Sequence, residues 1–282
     1  MSPSDQAQRL RELVESLAPS RSISITSGKG GVGKTNVVVN LAIAMAKLGN
    51  EVAIVDADLG LANVDVLLNL NPKYNLYHVI ERHKSLEEVV ISGPSGVKIV
   101  PGASGITKVA NMGPKERQHI LSELSRLQHI ADYILIDTSA GINRNVINFV
   151  VSSDVALIVT TPEPTAITDA YAMIKVISQR KIEQDLRLLV NMATSKREAD
   201  EIYERISMVS RQFLNMEISY AGYILKDDVV VNAVLQRRPF VLEYPYSPAG
   251  RSVTRIAKEL LRSLSGKMGN GGWIDRLLGW FR

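Results

Sequence analysis

Short apolar runs alternate with longer segments of helical period between residues 22 and 261, and this alternation predicts βαβ units. Several runs are apolar throughout, as expected for strands of a parallel sheet that is covered on both faces. The predicted strands are 22–27, 51–58, 97–102, 133–138, 154–162, 186–193 and 221–225. The predicted helices are 33–48, 114–127, 165–179, 196–213 and 248–265. We therefore expect a single α/β domain over residues 21–265, with a mostly parallel β-sheet flanked by helices.

A segment at each end lies outside this rhythm. In residues 1–20, four apolar residues follow the spacing i, i+3, i+4, i+7, which predicts one apolar stripe on an otherwise charged helix: Leu10, Leu13, Val14 and Leu17. Residues 266–282 begin with the glycine-rich sequence GKMGNG, which is typical of a flexible joint. The two segments are therefore expected to be appendages of the central domain.

The sequence SGKGGVGKTN, residues 27–36, carries the strongest chemical signal. It follows a predicted strand and precedes a predicted helix, which is the context that a phosphate-binding P-loop requires. Glycines allow the backbone N–H groups to point inward, and the helix adds its positive N-terminal end. Lys34 is expected to reach the β- and γ-phosphates, and the Thr35 hydroxyl to ligate Mg²⁺. The motif predicts a P-loop NTPase domain.

Carboxylates follow two of the predicted strands. Asp137 ends the apolar run YILIDT, at the position where P-loop NTPases hold Mg²⁺. Asp56, Asp58 and Asp65 follow the second strand, at the carboxyl edge where ligands of α/β sheets bind. Asp56 is interpreted either as structural or as part of the outer shell of the metal, and Asp65 as a helix-capping or surface residue.

Composition narrows the class of protein. The net charge of +4, from 33 Lys and Arg against 29 Asp and Glu, is too small to indicate nucleic acid binding, and we expect no nucleic acid partner. The absence of cysteine excludes disulfides, cysteine nucleophiles and cysteine-held iron–sulfur clusters. The polar start MSPSDQAQRL lacks the apolar core of a signal peptide, and no apolar run approaches about 18 residues. We expect a cytoplasmic chain that is neither exported nor membrane-spanning.

With KGGVGKT at residues 29–35, the chain resembles the MinD/ParA family of deviant Walker ATPases over residues 22–265. The resemblance implies slow hydrolysis of ATP to ADP and phosphate with Mg²⁺, and a homodimer in the ATP-bound state. The lysine that matches Lys29 crosses this dimer to touch the partner's nucleotide, although a solvated loop cation is the alternative. Asp58 matches the switch I aspartate, which positions the attacking water. Lys29, Lys34 and Asp58 are thus the expected catalytic residues, and Thr35, Asp58 and Asp137 the expected metal site.

The resemblance also indicates which residue recognises the adenine base of the nucleotide. Asn191 ends the strand at 186–193, where family members hydrogen-bond adenine with an Asn amide; an Asn that caps the strand exit is the alternative. No guanine-reading NKxD motif is present. Ser139 stands where the family often has Pro, so the shape of switch II is less constrained. The expected nucleotide contacts are Gly28, Lys29, Gly30, Gly31, Val32, Gly33, Lys34, Thr35, Asn36 and Asn191.

The C-terminal segment is predicted to be an amphipathic membrane-targeting helix. At about 100° per residue, its apolar side chains fall on one face: Trp273, Ile274, Leu277, Leu278, Trp280 and Phe281. An aromatic apolar face with basic residues nearby suits a bilayer interface, and the family carries a membrane-targeting tail here. The alternative is a last helix docked on the core. One short helix binds reversibly, so we expect peripheral attachment at the inner face of the cell membrane, strengthened by dimerisation.

The N-terminal sequence DQAQRLR resembles the activator motif of FlhG (YlxH-type) proteins, which are MinD-like ATPases of flagellar number and placement. The resemblance implies an FlhF-like GTPase as the partner of this motif, and flagellar switch-ring proteins as partners of the ATPase body. The expected contact residues are Asp5, Gln6, Ala7, Gln8, Leu10 and Arg11. A MinD-type division-site regulator and a ParA-type DNA-partition ATPase are the alternatives; the latter requires a basic surface and no membrane tail.

Overall fold

The computed structural model of the protein describes residues 20–58, 63–102, 119, 122–180, 185–265, 273, 276 and 277. These residues form an eight-stranded sheet in the order β3-β4-β2-β5-β1-β6-β7-β8. The strands are β1 Arg21–Thr26, β2 Val52–Ala57, β3 Ile91–Ser92, β4 Lys98–Val100, β5 Tyr133–Thr138, β6 Val155–Thr160, β7 Asp185–Ala193 and β8 Ser219–Leu225. All described pairings are parallel except that of β3 with β4. The predicted α/β fold and its seven strands are confirmed.

Ten α-helices of the described residues surround this sheet. They are α1 Lys34–Lys47, α2 Val64–Leu67, α3 Leu76–Ile80, α4 Leu86–Val89, α5 Arg144–Ser152, α6 Pro164–Ser178, α7 Lys196–Leu214, α8 Asp228–Leu235, α9 Phe240–Glu243 and α10 Pro248–Leu264. Short 3₁₀ turns occur at Pro94–Gly96 and Arg126–His129. Four of the five predicted helices are confirmed to within about one residue at each end, and most of the predicted helix 114–127 lies outside the described residues.

The sheet is buried between two layers. Ile23 and Ile25 of β1 pack with α1 and α10 on one face. Ala53 and Val55 of β2 face the other layer, which also contains Trp273 and Leu277. Because both faces are covered, the strands are apolar on both sides, as the sequence pattern predicted.

The central strand β1 directs the chain into the site. It lies between β5 and β6, with Ile25 opposite Asp137 and Ile23 opposite Val155. Since β2 lies beyond β5, the connections after β1 and β5 leave in opposite directions, which opens a crevice at the carboxyl edge. The loop at residues 27–33 is therefore placed where ligands of α/β sheets bind.

Six of the ten described helices were not predicted from sequence, and α5 and α8 are the longest of these six. Helix α5 begins after Asn143, whose side chain accepts a hydrogen bond from Val146 N, and α8 begins after Asp227, which accepts one from Val229 N. Both starts carry a residue suited to the N-cap position. The valine-rich runs that follow favour strand over helix by propensity, and tertiary packing overrides this preference.

Candidate active site

The phosphate loop has backbone geometry that only glycine adopts without strain at several positions. Gly31 and Gly33 both have φ of 82°, in the left-handed region. A Cβ at Gly28 would lie 2.2 Å from the backbone oxygen of Asp169, and one at Gly33 would lie 2.5 Å from Asn191 Nδ2. The loop is thus packed tightly between α6 and β7, with α1 starting directly after it.

A buried ion pair joins this loop to β5. Lys34 Nζ lies 2.6 Å from Asp137 Oδ1, and both side chains are buried. Burial raises the pKa of Asp137, while the nearby charge of Lys34 opposes this rise. The second oxygen, Oδ2, is buried and has no hydrogen-bond partner among the described residues. An oxygen in this state is suited to a hydrated cation.

The predicted metal residues fit Mg²⁺. The Thr35 hydroxyl and the Asp58 carboxyl both act on the pKa of Asp137, the first lowering it and the second raising it, so the three groups are neighbours. Oxygen donors and a bare buried carboxylate oxygen suit a hard cation that keeps several waters. Within the described residues, no three acidic or histidine side chains are grouped so that they could hold a metal ion by themselves.

A second aspartate lies beside this pair. Asp56 of β2 is opposite Asp137 in the sheet register and is buried. Burial and the repulsion of Asp137 raise the pKa of Asp56 to about 7, although backbone N–H groups that donate to it oppose this rise. The site therefore contains two buried carboxyl groups and one buried ammonium group before a nucleotide and a metal are added.

A cavity of about 130 Å³ opens beside the loop. Asn191 lines it together with Gly33 and Asn36, and the Asn191 amide donates to Val32 O at 2.8 Å. Most of its lining was not predicted: Val37, Met192, Ile224, Leu225, Lys226, Asp227, Asp228, Val230, Val231 and Phe240. These residues come from α1, from the carboxyl ends of β7 and β8 with the loop that follows β8, and from α8 and α9. An apolar cleft with a few amide and charged groups is suited to a purine.

The side chain of Lys29 contacts residues of its own chain. Its Nζ lies 2.7 Å from Glu163 Oε2 and 2.9 Å from Thr165 Oγ1, at the start of α6. This ion pair is solvent-exposed, in contrast to that of Lys34. Both interpretations of Lys29, a solvated loop cation and a residue that crosses the dimer, stay predictions.

The C-terminal residues that the structure describes are docked on the core. Trp273 and Leu277 are each 1% exposed and pack beneath β2 and β5. Arg276 Nε donates to Ser152 O and its Nη2 to Asp154 Oδ1, both at 2.8 Å. Trp273 and Leu277 therefore agree with the alternative of a terminal segment docked on the core, because a deep apolar surface of the sheet covers them. Ile274, Leu278, Trp280 and Phe281 lie outside the described residues, and membrane binding stays a prediction.

Other predicted residues also lie outside the described part of the chain. The N-terminal contact residues Asp5, Gln6, Ala7, Gln8, Leu10 and Arg11 are among them. In the described residues, no helix combines the length and apolar character needed to cross a bilayer.

Comparison with known proteins identifies the family. The family model described as "ParA: NUBPL iron-transfer P-loop NTPase" matches residues 19–261. The chain belongs to the ParA family. It is accordingly an ATP-binding P-loop ATPase, as its loop and carboxylates predicted. The iron transfer named in that description is not supported by a cysteine-held cluster, since the chain has no cysteine.

Individual ParA-family proteins are similar over most of the chain. The antiactivator FleN of Pseudomonas aeruginosa is 41% identical, covering 87% of this chain and 88% of FleN. The flagellum site-determining protein YlxH of Helicobacter pylori is 36% identical, covering 92% and 91%. Septum site-determining MinD of Pyrococcus horikoshii, solved with Mg-ADP, has a TM-score of 0.71 and 27% identity, covering 89% of this chain and 100% of that one.

Proposed function

We propose that the chain is an ATP-driven switch that controls the number and placement of flagella. The observation that carries the proposal is its similarity, over most of both chains, to FleN at 41% and to the flagellum site-determining protein YlxH at 36% identity. The N-terminal sequence DQAQRLR supports it independently. An FlhF-type GTPase is the proposed partner of this N-terminal motif, and switch-ring proteins are the proposed partners of the ATPase body.

The switch is set by ATP and reset by its hydrolysis to ADP and phosphate. Lys34 and the loop N–H groups hold the β- and γ-phosphates, and Asn191 reads the adenine in the adjacent cavity. Bound Mg²⁺, held by Thr35 and through water by Asp58 and Asp137, would neutralise phosphate charge. Asp58 orients the attacking water, and Lys34 stabilises the charge that develops on the transferred phosphoryl group. The MinD structure with Mg-ADP, to which this chain is similar, supports a nucleotide and Mg²⁺ as the bound groups.

ATP binding also forms the homodimer. In the single chain, Lys29 is held by Glu163 and Thr165, at the mouth of the site. An exposed ion pair contributes about 0 to 1 kcal/mol, so the phosphates of a second chain compete with it readily. We propose that Lys29 exchanges these neighbours for the nucleotide of the partner, which makes dimerisation dependent on the γ-phosphate.

In this proposal, membrane attachment requires release of the docked C-terminal residues Trp273 and Leu277. Trp273 and Leu277 are buried in the chain described here, so they cannot enter a bilayer in the same state. We propose that dimerisation favours their release and that two helices then bind together, which raises the affinity by avidity. The protein would thus alternate between the cytoplasm and the inner face of the cell membrane.

A division-site role is the second candidate. Septum site-determining MinD proteins are similar both in sequence, at 32% identity for that of Bacillus subtilis, and in structure. The lower identity and the N-terminal motif favour the flagellar role. The ParA-type partition role is less favoured, because the small net charge offers little to bind DNA.

Complementation tests the flagellar role. The chain would be expressed in Pseudomonas aeruginosa lacking FleN, and flagella per cell counted by electron microscopy. The proposal predicts that the intact chain changes the count toward that of the parent strain, whereas Lys34→Ala does not. An unchanged flagellar count together with altered septum placement would favour the division-site role.

A further inference from the structure

Three backbone N–H groups converge on the carboxylate of Asp56. Its Oδ1 accepts a hydrogen bond from Asp58 N at 3.0 Å, and its Oδ2 accepts from Asn63 N at 3.2 Å and Val64 N at 3.3 Å. Asp56 is 1% exposed. The buried Asp56 side chain therefore accepts hydrogen bonds from both ends of the connection between β2 and α2. One donor is Asp58, the residue predicted to orient the attacking water.

This arrangement is not an ordinary helix cap. The N-cap residue of α2, Asn63, makes no side-chain capping hydrogen bond, and α2 is only four residues long. Its first N–H groups are instead satisfied from within the sheet, by a residue that lies seven positions before Asn63 in the chain. Hydrogen bonds to a charged acceptor are stronger than neutral ones, so Asp56 in its ionised form holds Asp58 and the start of α2 most firmly.

The opposite side of Asp56 is closed by the chain that follows β4. A Cβ at Gly102 would lie 2.6 Å from the backbone oxygen of Asp56 and 2.9 Å from its Cγ. Such approaches are shorter than real contacts allow, so only glycine fits without displacing the aspartate. The position of the carboxylate is thus fixed from two sides, by the N–H groups that it accepts and by the backbone at Gly102.

We propose that Asp56 is a positioning residue for ATP hydrolysis, which holds the backbone of Asp58 so that the Asp58 carboxylate meets the attacking water. Asp56 acts through Asp58 and not on the reacting atoms. The inference rests on the proposed role of Asp58 in orienting water. Displacing a group by about 1 Å can reduce a rate about 100-fold, so a firm hold on this segment has a large effect on turnover.

Two substitutions disturb the hold by different means. Asp56→Asn keeps the shape but replaces one accepting oxygen with an NH₂ group, which cannot accept from a backbone N–H. Gly102→Ala leaves every charge in place and pushes on Asp56 sterically. Both variants should lower kcat about 10-fold or more and leave the KM for ATP and the affinity for ADP within about twofold.

Amide hydrogen exchange measures directly how well the three backbone N–H groups that donate to Asp56 are protected. In both variants, exchange at Asp58, Asn63 and Val64 should become faster, while exchange in the central strands stays as in the parent protein and shows that the variants are folded. Asp65→Asn is the matched control, because the Asp65 carboxylate accepts only from its neighbour Val66 N, at 2.8 Å, among its described hydrogen bonds. It should change neither kcat nor exchange at the three amides.

Three results would overturn the proposal. A higher KM for ATP or a higher Mg²⁺ requirement with kcat unchanged would place Asp56 in ligand binding. Faster exchange with unchanged kcat would leave it a purely structural role. Asp58→Ala distinguishes the proposed role of Asp58 from the inferred role of Asp56. If Asp58→Ala retains turnover, Asp58 does not orient the attacking water. If Asp58→Ala loses turnover while Asp56→Asn and Gly102→Ala do not, only the positioning role of Asp56 fails.

Discussion

The interior of the nucleotide site and its rim hold ion pairs of nearly equal length in different surroundings. Lys34 and Asp137 are 2.6 Å apart with side chains 7% and 0% exposed, whereas Lys29 and Glu163 are 2.7 Å apart at 38% and 66%. Breaking a buried pair leaves an uncompensated charge in the interior, while water replaces a lost partner at the rim. We therefore propose that the same loop provides a fixed cation for the phosphates and an exchangeable one for a second chain.

A third ion pair lies between these extremes. Arg276 and Asp154 are 2.8 Å apart with side chains 26% and 10% exposed, and they join the docked C-terminal residues to β6. If burial determines how much each ion pair stabilises the protein, breaking the most buried pair should have the largest effect and breaking the most exposed pair the smallest.

The largest effect is expected for Lys34→Ala. The substitution removes the phosphate contact and leaves Asp137 buried without its cation, so ATP turnover should fall at least about 100-fold. The free energy of unfolding without nucleotide should fall by about 3 kcal/mol at pH 8. The loss should become smaller as the pH is lowered, because burial raises the pKa of Asp137 and a carboxyl that has bound a proton leaves no charge in the interior. Phosphate release and urea unfolding measure the two effects.

Lys47→Ala is the matched control, since Lys47 is exposed in the last turn of the same helix. It should alter neither quantity. Equal loss of stability in the two variants would show that the Lys34 pair is no stronger than a surface charge.

A pH effect of intermediate size is expected from Asp56. Its pKa of about 7 in the folded chain lies above the value of 3.8 for an unperturbed group, so the folded state binds the extra proton between these values. Stability from this group is present below pH 4 and is lost as the pH rises toward 7, by up to about 1.4 kcal/mol per pH unit.

The measurement is urea unfolding of the metal-free protein between pH 5 and 7, compared with Asp56→Asn. The advantage of the parent chain over the variant should shrink as the pH rises. An advantage that grows with pH would contradict the raised pKa.

A smaller effect is expected for Arg276→Gln. Loss of the partly buried ion pair with Asp154 should remove about 1 kcal/mol that holds Trp273 and Leu277 in the core. Binding to anionic vesicles without nucleotide should therefore increase several-fold. Vesicle flotation measures it. Arg251→Gln removes the same charge from the exposed face of α10 and should not increase binding. Equal binding by both variants would show that the docked residues do not limit membrane attachment.

The smallest effect is expected for Glu163→Gln. Releasing Lys29 from an exposed pair worth at most about 1 kcal/mol should lower the ATP concentration for half-maximal dimerisation up to about fivefold. Sedimentation velocity over an ATP titration measures it. Glu201→Gln is the control, because Glu201 forms a comparably exposed pair with Arg197 on α7. A higher ATP requirement in Glu163→Gln would mean that Glu163 supports the dimer.

The parts of the site that depend on local sequence were predicted well. Glycine spacing identifies the phosphate loop, and the rule that parallel strands end at one edge brings Lys34 and Asp137 together although 103 positions separate them. The contact of Lys29 with Glu163 depends on how α6 packs against the loop, which no local pattern records. The lining of the cavity beside Asn191 was missed for the same reason, since it comes from five separate elements.

The C-terminal segment shows a different limit. An apolar helix face has no directional preference between a bilayer and a protein core, so the spacing of Trp273 and Leu277 fits both. Tertiary structure decides, because the sheet leaves an apolar surface beside Ala53 and Val55 for these two side chains. The sequence pattern thus left both surroundings open, and the structure places these two side chains in the core.

The exchange of Lys29 between its own chain and a partner is the central claim, and light scattering tests it most directly. The molar mass of Asp58→Ala, which should bind ATP without consuming it, would be compared with that of Asp58→Ala/Lys29→Ala, each with ATP and with ADP. We expect two chains only for Asp58→Ala with ATP, and one chain in the other three samples. Dimers with ADP, or ATP-dependent dimers that persist without Lys29, would contradict it.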